Sequence, residues 1–327
     1  MKKRIVIITG ANSGIGKEAA LRFAKAGDHV IMACRNMEFS RKVQTGIIAA
    51  ANNDQVDLLE LDVSSFASIR CFCDTFSSWY ERLDILIHNA AYFSHGERYR
   101  QSPDGIELTF ATNVFGPYLM TSLLLDQLKK SADPRILHAG SNIIKHFFDP
   151  KQSFDLDLLQ GREDSNKSFS VYQMYCQSKM ALTLLTFKMA EAFADDGIKV
   201  NALQINGAKM SKRTIQKVKP WWRPIARVQN IFFRPPSYMA ENYFQICTAD
   251  NYKHVTGKLF NDKLEIMQPS PREYPGFFKQ LKQLLGSSTY PACENTNIRE
   301  ELWQLCTKLI ESHLHTSIDD QKNWSDQ

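Results

Sequence analysis

The sequence predicts an α/β fold, an open parallel sheet wound on both faces by helices, and three observations predict it. Short β-branched or apolar runs alternate with longer segments of helical periodicity through the first two thirds of the chain. A glycine-rich turn stands where the first run hands over to the first helical segment. The composition, 327 residues at 43% hydrophobic and 23% charged, supplies one large core and excludes a disordered, collagenous or disulfide-stapled chain. Strand-helix alternation of this regularity requires crossover connections, and these are right-handed, so the strands lie parallel and the helices cover both faces.

Residues 5–9, 29–33, 56–61, 85–88, 135–139 and 199–205 read as strands. Between them 16–26, 40–51, 65–79, 106–128 and 171–194 read as helices. After Ile205 the pattern breaks: Pro220, Pro224, Pro235 and Pro236 punctuate a segment that also carries Trp221, Trp222, Phe232 and Phe233. A helix over 237–248, a short strand near Leu259, a loop over 269–291 and a last helix over 297–314 follow. No repeat and no second core is visible, so the chain reads as one domain over 1–327.

The net charge of +5 is unevenly placed. Eight basic residues and no acidic one lie between Lys209 and Arg234, which leaves 32 basic against 35 acidic elsewhere. Seven cysteines, an odd number, point to a reducing compartment. Cys71 and Cys73 form the one close pair, without a second pair to complete a metal site, so they read as plain thiols and no metal is expected. The apolar run after Arg4 stops at Thr9, short of the about 7 to 15 residues of a secretory core. The longest apolar stretch, 118–125, is interrupted by Thr121 and Ser122 and falls far below the roughly 18 residues of a membrane span. The expectation is a cytoplasmic protein, at most peripheral to a membrane.

The turn reads Thr9-Gly10-Ala11-Asn12-Ser13-Gly14-Ile15-Gly16. Its glycines let the backbone approach a pyrophosphate, and the following helix offers free N–H groups at the positive end of its dipole. Gly10, Asn12, Ser13, Gly14, Ile15 and Gly16 are therefore candidate cofactor contacts. At the end of the second strand, where an acidic residue would select NAD(H), stands Ala33-Cys34-Arg35. A guanidinium grips phosphate through paired donors, so Arg35 favours NADP(H).

Tyr175 and Lys179 lie four residues apart on the helix over 171–194, so both project from one face. A phenol titrates near about 10, and the Lys179 ammonium together with an oxidised nicotinamide would favour its phenolate. The neighbouring Tyr172 has Cys176 at that spacing and cannot play this part.

With these elements in this order the sequence resembles the short-chain dehydrogenase/reductase family, and within it the retinol dehydrogenase-like, NADP-preferring branch. The resemblance covers about residues 4–211 well and 235–310 loosely. Its markers, besides the glycine turn, are Cys34-Arg35-Asn36, Leu61-Asp62-Val63, His88-Asn89-Ala90-Ala91, Asn113-Val114-Phe115-Gly116, Ser141 and Tyr175-Cys176-Gln177-Ser178-Lys179.

The resemblance implies a Rossmann-type sheet in the order 3-2-1-4-5-6-7, a cofactor-binding core over 1–205, a basic aromatic substrate lid over 206–250 and a C-terminal extension over 251–327. It implies that Tyr175 is the general acid or base, that Lys179 holds the nicotinamide ribose, and that Ser141 bonds the reacting oxygen. Asn113 would hold a water that continues the relay. Asp62 and Val63 would meet the adenine, Asn89 and Ala90 the middle of the cofactor, and Ser211 the carboxamide. Three departures from the family pattern bear on the crevice: Ala91 replaces a glycine, Gly140-Ser141 replaces a double serine, and Asn206-Gly207 replaces a Pro-Gly turn beside the nicotinamide.

Thirty-four positions separate Ser141 from Tyr175, an insertion carrying Phe147, Phe148, Phe154 and an apolar run over 156–159. With the aromatic basic segment these are expected to wall a pocket for an apolar carbonyl or alcohol, of retinoid, steroid, lipid aldehyde or aromatic ketone type. The segment 209–234 admits three readings: a lid closing over cofactor phosphates, a peripheral contact with anionic lipid, or plain solvated surface. A nucleic-acid partner is not expected. The rival reading in function is a catalytically silent NADP(H)-binding sensor or scaffold. His138 and His146 flank Ser141, but no strained Gly-x-Ser-x-Gly elbow accompanies them, so they read as structural histidines. Leu302, Trp303, Cys306 and Leu309 recur at helical spacing as core or as the interface of a homo-oligomer.

Overall fold

A computed structural model describes residues 3–93, 99–149, 152–159, 170–207, 209, 223–224, 230, 233–270, 286–292 and 296–314. Seven strands form its main sheet: β1 (Ile5–Thr9), β2 (His29–Cys34), β3 (Val56–Glu60), β4 (Ile85–His88), β5 (Arg135–Ser141), β6 (Lys199–Ile205) and β7 (Lys258–Phe260). All are parallel, in the order 3-2-1-4-5-6-7. The central strands are buried on both faces, which is why β1, β2 and β4 read as nearly continuous apolar runs. Period-two alternation sends Ile7 and Ile31 into one core and Val6, Ile8, Val30 and Met32 into the other.

Two of the helices on the second face, α1 (Gly14–Lys25) and α2 (Met37–Ala51), connect β1 to β2 and β2 to β3. Across the sheet lies α3 (Phe66–Trp79), which drives Phe66, Phe72 and Phe76 into the first core. The single helix expected over 106–128 is instead four pieces: α4 (Leu108–Phe110), a π-helical turn (Ala111–Phe115), α5 (Gly116–Leu123) and α6 (Leu125–Lys129). Pro117 has no N–H, so a regular ladder cannot run through this stretch, and Gly116 N–H reaches back five residues to the Ala111 carbonyl.

After β5 a 3₁₀ turn (Asn142–Phe148) and α7 (Leu156–Leu159) lead to the long α8 (Val171–Ala192), whose N-cap Ser170 accepts from Gln173 N–H. Next comes α9 (Pro236–Thr248), where a helix over 237–248 is expected. Its Met239, Ala240 and Tyr243 are fully buried with Ala20 and Phe23 of α1. Finally α10 (Thr296–Leu314) buries Leu302, Cys306 and Ile310 in the first core. Two two-residue strands, β8 (Gln268–Pro269) and β9 (Thr289–Tyr290), pair in parallel, with Tyr290 against Phe187 of α8, and are too short to show any period. No described helix is long and apolar enough to cross a membrane.

Candidate active site

Above the carboxyl ends of β1, β4, β5 and β6 the chain leaves a crevice of about 280 Å³. It lies where strand order reverses direction, between β1 and β4. Ile15 and Asn89 line one side, Ser141, Ile205 and Gly207 line another, and Tyr175 and Lys179 reach in from α8.

The chemical end is built on burial. Lys179, 2% exposed, donates from Nζ to the Ala139 carbonyl at 2.8 Å and lies 5.8 Å from the centre of the Tyr175 ring. Burial alone pulls its pKa from 10.5 down to about 8. Burial pushes the Tyr175 phenol above its ordinary value, and a hydrogen bond with Ser141 works the other way. The depressed phenol expected beside Lys179 is therefore not a property of the protein alone, which holds Tyr175 as a proton donor. Tyr172 is half-exposed and packs edge-on to His146, with ring centres 5.6 Å apart.

Asn113 occupies the π-helical turn and is buried. Its Oδ1 accepts from Tyr92 N–H at 2.8 Å, while Nδ2 donates to the Tyr92 carbonyl and to Ser178 Oγ, each at 3.1 Å. The side chain thus ties the loop after β4 to α8, and any water held here rests on the main chain. That loop carries Phe93, whose ring lies 4.4 Å from the Tyr175 ring at 31°.

At the other end, Ser13 precedes α1 in extended conformation without a side-chain cap bond, so the first-turn N–H groups face outward toward whatever binds there. Gly14 has φ of +54° and open space where a Cβ would stand. A Cβ on Gly16 would come within 2.5 Å of both Asn89 Nδ2 and the Gly10 carbonyl, so only glycine lets turn and helix meet. Asn12 donates to Ser40 Oγ at 2.8 Å. Asn89 donates to the Thr9 carbonyl at 2.9 Å and accepts from Tyr243 Oη at 3.2 Å, while Thr9 Oγ1 takes the Asn89 and Ala90 N–H groups at 2.9 Å each.

Arg35 stands out from the end of β2 with its side chain 73% exposed, 3.4 Å from Asp62 Oδ2. Burial pushes the Asp62 carboxyl up, but the Ser64 hydroxyl and N–H and the Arg35 charge outweigh it and hold the pKa below the ordinary value. Val63 is buried.

Of the expected site residues, Ile15, Asn89, Ser141, Tyr175 and Lys179 line the crevice, Asn113 is buried against Tyr92 and Ser178, and Arg35 and Asp62 lie outside the lining. Ser211 lies outside the described residues, as do Trp221, Trp222 and five of the eight basic residues between Lys209 and Arg234. Of the expected pocket walls, Phe147 and Leu159 are buried in the first core and Phe154 is packed against it, whereas the ring against Tyr175 is that of Phe93, which is exposed. Phe93 and Tyr243 carry no local signal in the sequence, and their contacts with Tyr175 and Asn89 come from the fold alone.

Fold and crevice together define a doubly wound parallel α/β protein with a serine, a tyrosine and a lysine gathered at the carboxyl edge of its sheet. The profile of the short chain dehydrogenase family matches residues 4–148. Retinol dehydrogenase 13 of Homo sapiens is 32% identical over 283 residues, covering 82% of this chain and 78% of that protein. The Mus musculus protein of the same name is 34% identical over 271 residues, with the same coverages. A short chain dehydrogenase from Shigella flexneri 2a str. 301, complexed with NADP, shares the fold with a TM-score of 0.59 at 23% identity, over 80% of this chain and 97% of that one. The chain belongs to the short chain dehydrogenase family.

Proposed function

We propose that this protein is an NADP(H)-dependent oxidoreductase that moves a hydride between nicotinamide and an apolar carbonyl or alcohol. The observation that carries the reading is the Ser141–Tyr175–Lys179 cluster inside the crevice that the glycine turn opens. The residues fit a dinucleotide: the turn keeps Gly14 open and leaves the α1 N-terminus uncapped, and Arg35 offers a solvent-facing guanidinium. The NADP complex of the Shigella relative supports the choice of cofactor.

Bound NADP(H) supplies or takes the hydride. Gly10, Asn12, Ser13, Ile15 and Gly16 would cradle its phosphates, Asp62 and Val63 its adenine, Asn89 and Ala90 its middle, and Lys179 the nicotinamide ribose. In reduction Tyr175, held protonated by burial, gives its proton to the substrate oxygen, and in oxidation it takes that proton back. Ser141 Oγ bonds the same oxygen as charge develops on it. Pro117 offers no N–H to the Asn113 carbonyl four residues back, so that carbonyl is the group through which Asn113 would hold a relay water.

An apolar substrate, of retinoid, steroid, lipid aldehyde or aromatic ketone type, suits the Phe93 ring beside Tyr175. The relatives named as retinol dehydrogenases support the same class. Paired titrations with NADPH and NADH, then a carbonyl panel with the tighter cofactor, test the reading. Tyr175→Phe is expected to bind NADPH as the wild type does and to lose about 10²–10⁴ in kcat. Equal turnover by the variant overturns the role of Tyr175 as proton donor and acceptor.

A further inference from the structure

We infer that Asp262, on the turn after β7, is a positioning residue for the wall of the crevice that faces the nicotinamide. The inference rests on the dinucleotide reading above. Strands β6 and β7 run in register, Leu203 beside Phe260, so the segments leaving their carboxyl ends emerge next to one another. There Asn206 Nδ2 donates to Asp262 Oδ1 at 2.8 Å. A carboxylate only accepts, so it fixes which way the Asn206 amide faces, and Asn206 Oδ1 then takes Gln204 Nε2 at 3.0 Å. The Asn206 carbonyl accepts from Asn142 Nδ2 at 3.4 Å. Ile205, Gly207 and Asn142 all line the crevice, so one carboxylate outside it orients both strand ends that form this wall.

Asp262 is itself firmly held. Its carbonyl accepts from Asn242 Nδ2 of α9 at 2.7 Å. Asn261 Oδ1 closes the turn by taking the N–H groups of Lys263 and Glu265 at 2.9 and 3.0 Å, and Leu264 adopts φ of +64° there. Asn261 Nδ2 also reaches the Ser287 carbonyl at 3.1 Å, and Lys145, whose burial lowers its pKa against the opposing charge of Asp262, donates to the Gly286 carbonyl at 2.6 Å. Where the family pattern stiffens this turn with a proline ring, this chain uses a side-chain clamp anchored on α9.

The test uses two probes on the full chain: NADPH, which spans the crevice, and adenosine 2′,5′-bisphosphate, which carries only the adenine end. Asp262→Ala is expected to weaken NADPH by about tenfold and to lower kcat, while bisphosphate affinity stays within about twofold. Asp262→Asn keeps an acceptor for Asn206 and is expected to restore most of the NADPH affinity. If Asp262→Ala fails to fold, Asn206→Ala removes the same bond from the other side and is expected to give the same selective loss. Unchanged NADPH affinity in Asp262→Ala or Asn206→Ala overturns the inference, and so does an equal loss for both probes, which would mark a merely structural residue. A wild type that binds bisphosphate and NADPH but reduces nothing sinks the proposed reaction and leaves the clamp standing. A wild type that binds neither probe sinks the dinucleotide reading and the clamp with it.

Discussion

Lys179 and Arg35 are both cations at the carboxyl edge of the same sheet, yet Lys179 is 2% exposed and the Arg35 side chain is 73% exposed. Around Lys179 everything basic is dry. His88 and His138 lie side by side on β4 and β5, with ring centres 5.1 Å apart, each bonded through one nitrogen to a threonine hydroxyl, Thr121 and Thr186, at 2.9 Å. Burial drives the pKa of His88 to about 3; burial, then the charges of His88 and Lys179, drive that of His138 well below its ordinary value. Arg35 has water and one loose carboxylate contact, which contributes about 0–1 kcal/mol at most. In the proposed function, the chemical end of the crevice therefore works by excluding solvent, and the recognition end by keeping a charge ready to change partners.

The sharpest way to break that contrast is acid. A histidine whose folded pKa lies below its unfolded value near 6.5 leaves the unfolded chain holding more protons. Stability is thus full above pH 6.5 and is lost as pH falls toward the folded pKa, about 3 for His88. Between pH 7 and 5 His88 is expected to remove about 2 kcal/mol, and His138 adds a loss of the same sign. Urea unfolding at the two pH values checks this. His138→Asn keeps a donor for Thr186 without a titrating ring, so its loss over that interval should be smaller than that of the wild type. An identical loss in both proteins would mean that His138 takes up its proton in the fold as it does in the unfolded chain, and that its surroundings are not dry.

The recognition end should respond to salt instead. Arg35→Ala is expected to weaken NADPH by about 10- to 100-fold, the worth of a charge-assisted bond to phosphate, and to leave NADH unchanged. The wild-type preference for NADPH should shrink as ionic strength rises, because an exposed pair is screened. Isothermal titrations at low and high salt measure both. An NADPH preference that survives Arg35→Ala assigns the 2′-phosphate to other groups.

The contrast also explains what could be read from the chain. The glycine turn, Arg35 and the Tyr175–Lys179 pair are local patterns, in which a few adjacent positions or one helical turn carry the meaning. Phe93, Tyr243 and Asp262 matter through partners 82, 154 and 56 positions away, Tyr175, Asn89 and Asn206, and have no pattern of their own. The break in the helix over 106–128 is hidden because apolar periodicity continues across Pro117 while the backbone changes register beneath it. Pro236 reads as the end of a loop, but it also opens a helix whose apolar face completes the core beside α1.

Helix caps at the two ends provide the smallest test. Asn36 Oδ1 accepts from Phe39 N–H at 2.9 Å and caps α2, and the Asn36 carbonyl takes Ser40 Oγ at 2.6 Å, which in turn accepts from Asn12 of the glycine turn. At the chemical end Ser170 caps α8 with a longer bond of 3.3 Å. Asn36→Ala is expected to cost about 1 kcal/mol of stability and to loosen NADPH slightly through Ser40 and Asn12. Ser170→Ala should cost about 0.5 kcal/mol and leave kcat alone, because α8 is held by the fifteen residues it buries and not by its first hydrogen bond. Chemical denaturation and NADPH titration of the two variants decide the point. If Ser170→Ala is the costlier change, or lowers kcat, then Tyr175 depends on the start of its helix, and burial is not what positions the chemistry.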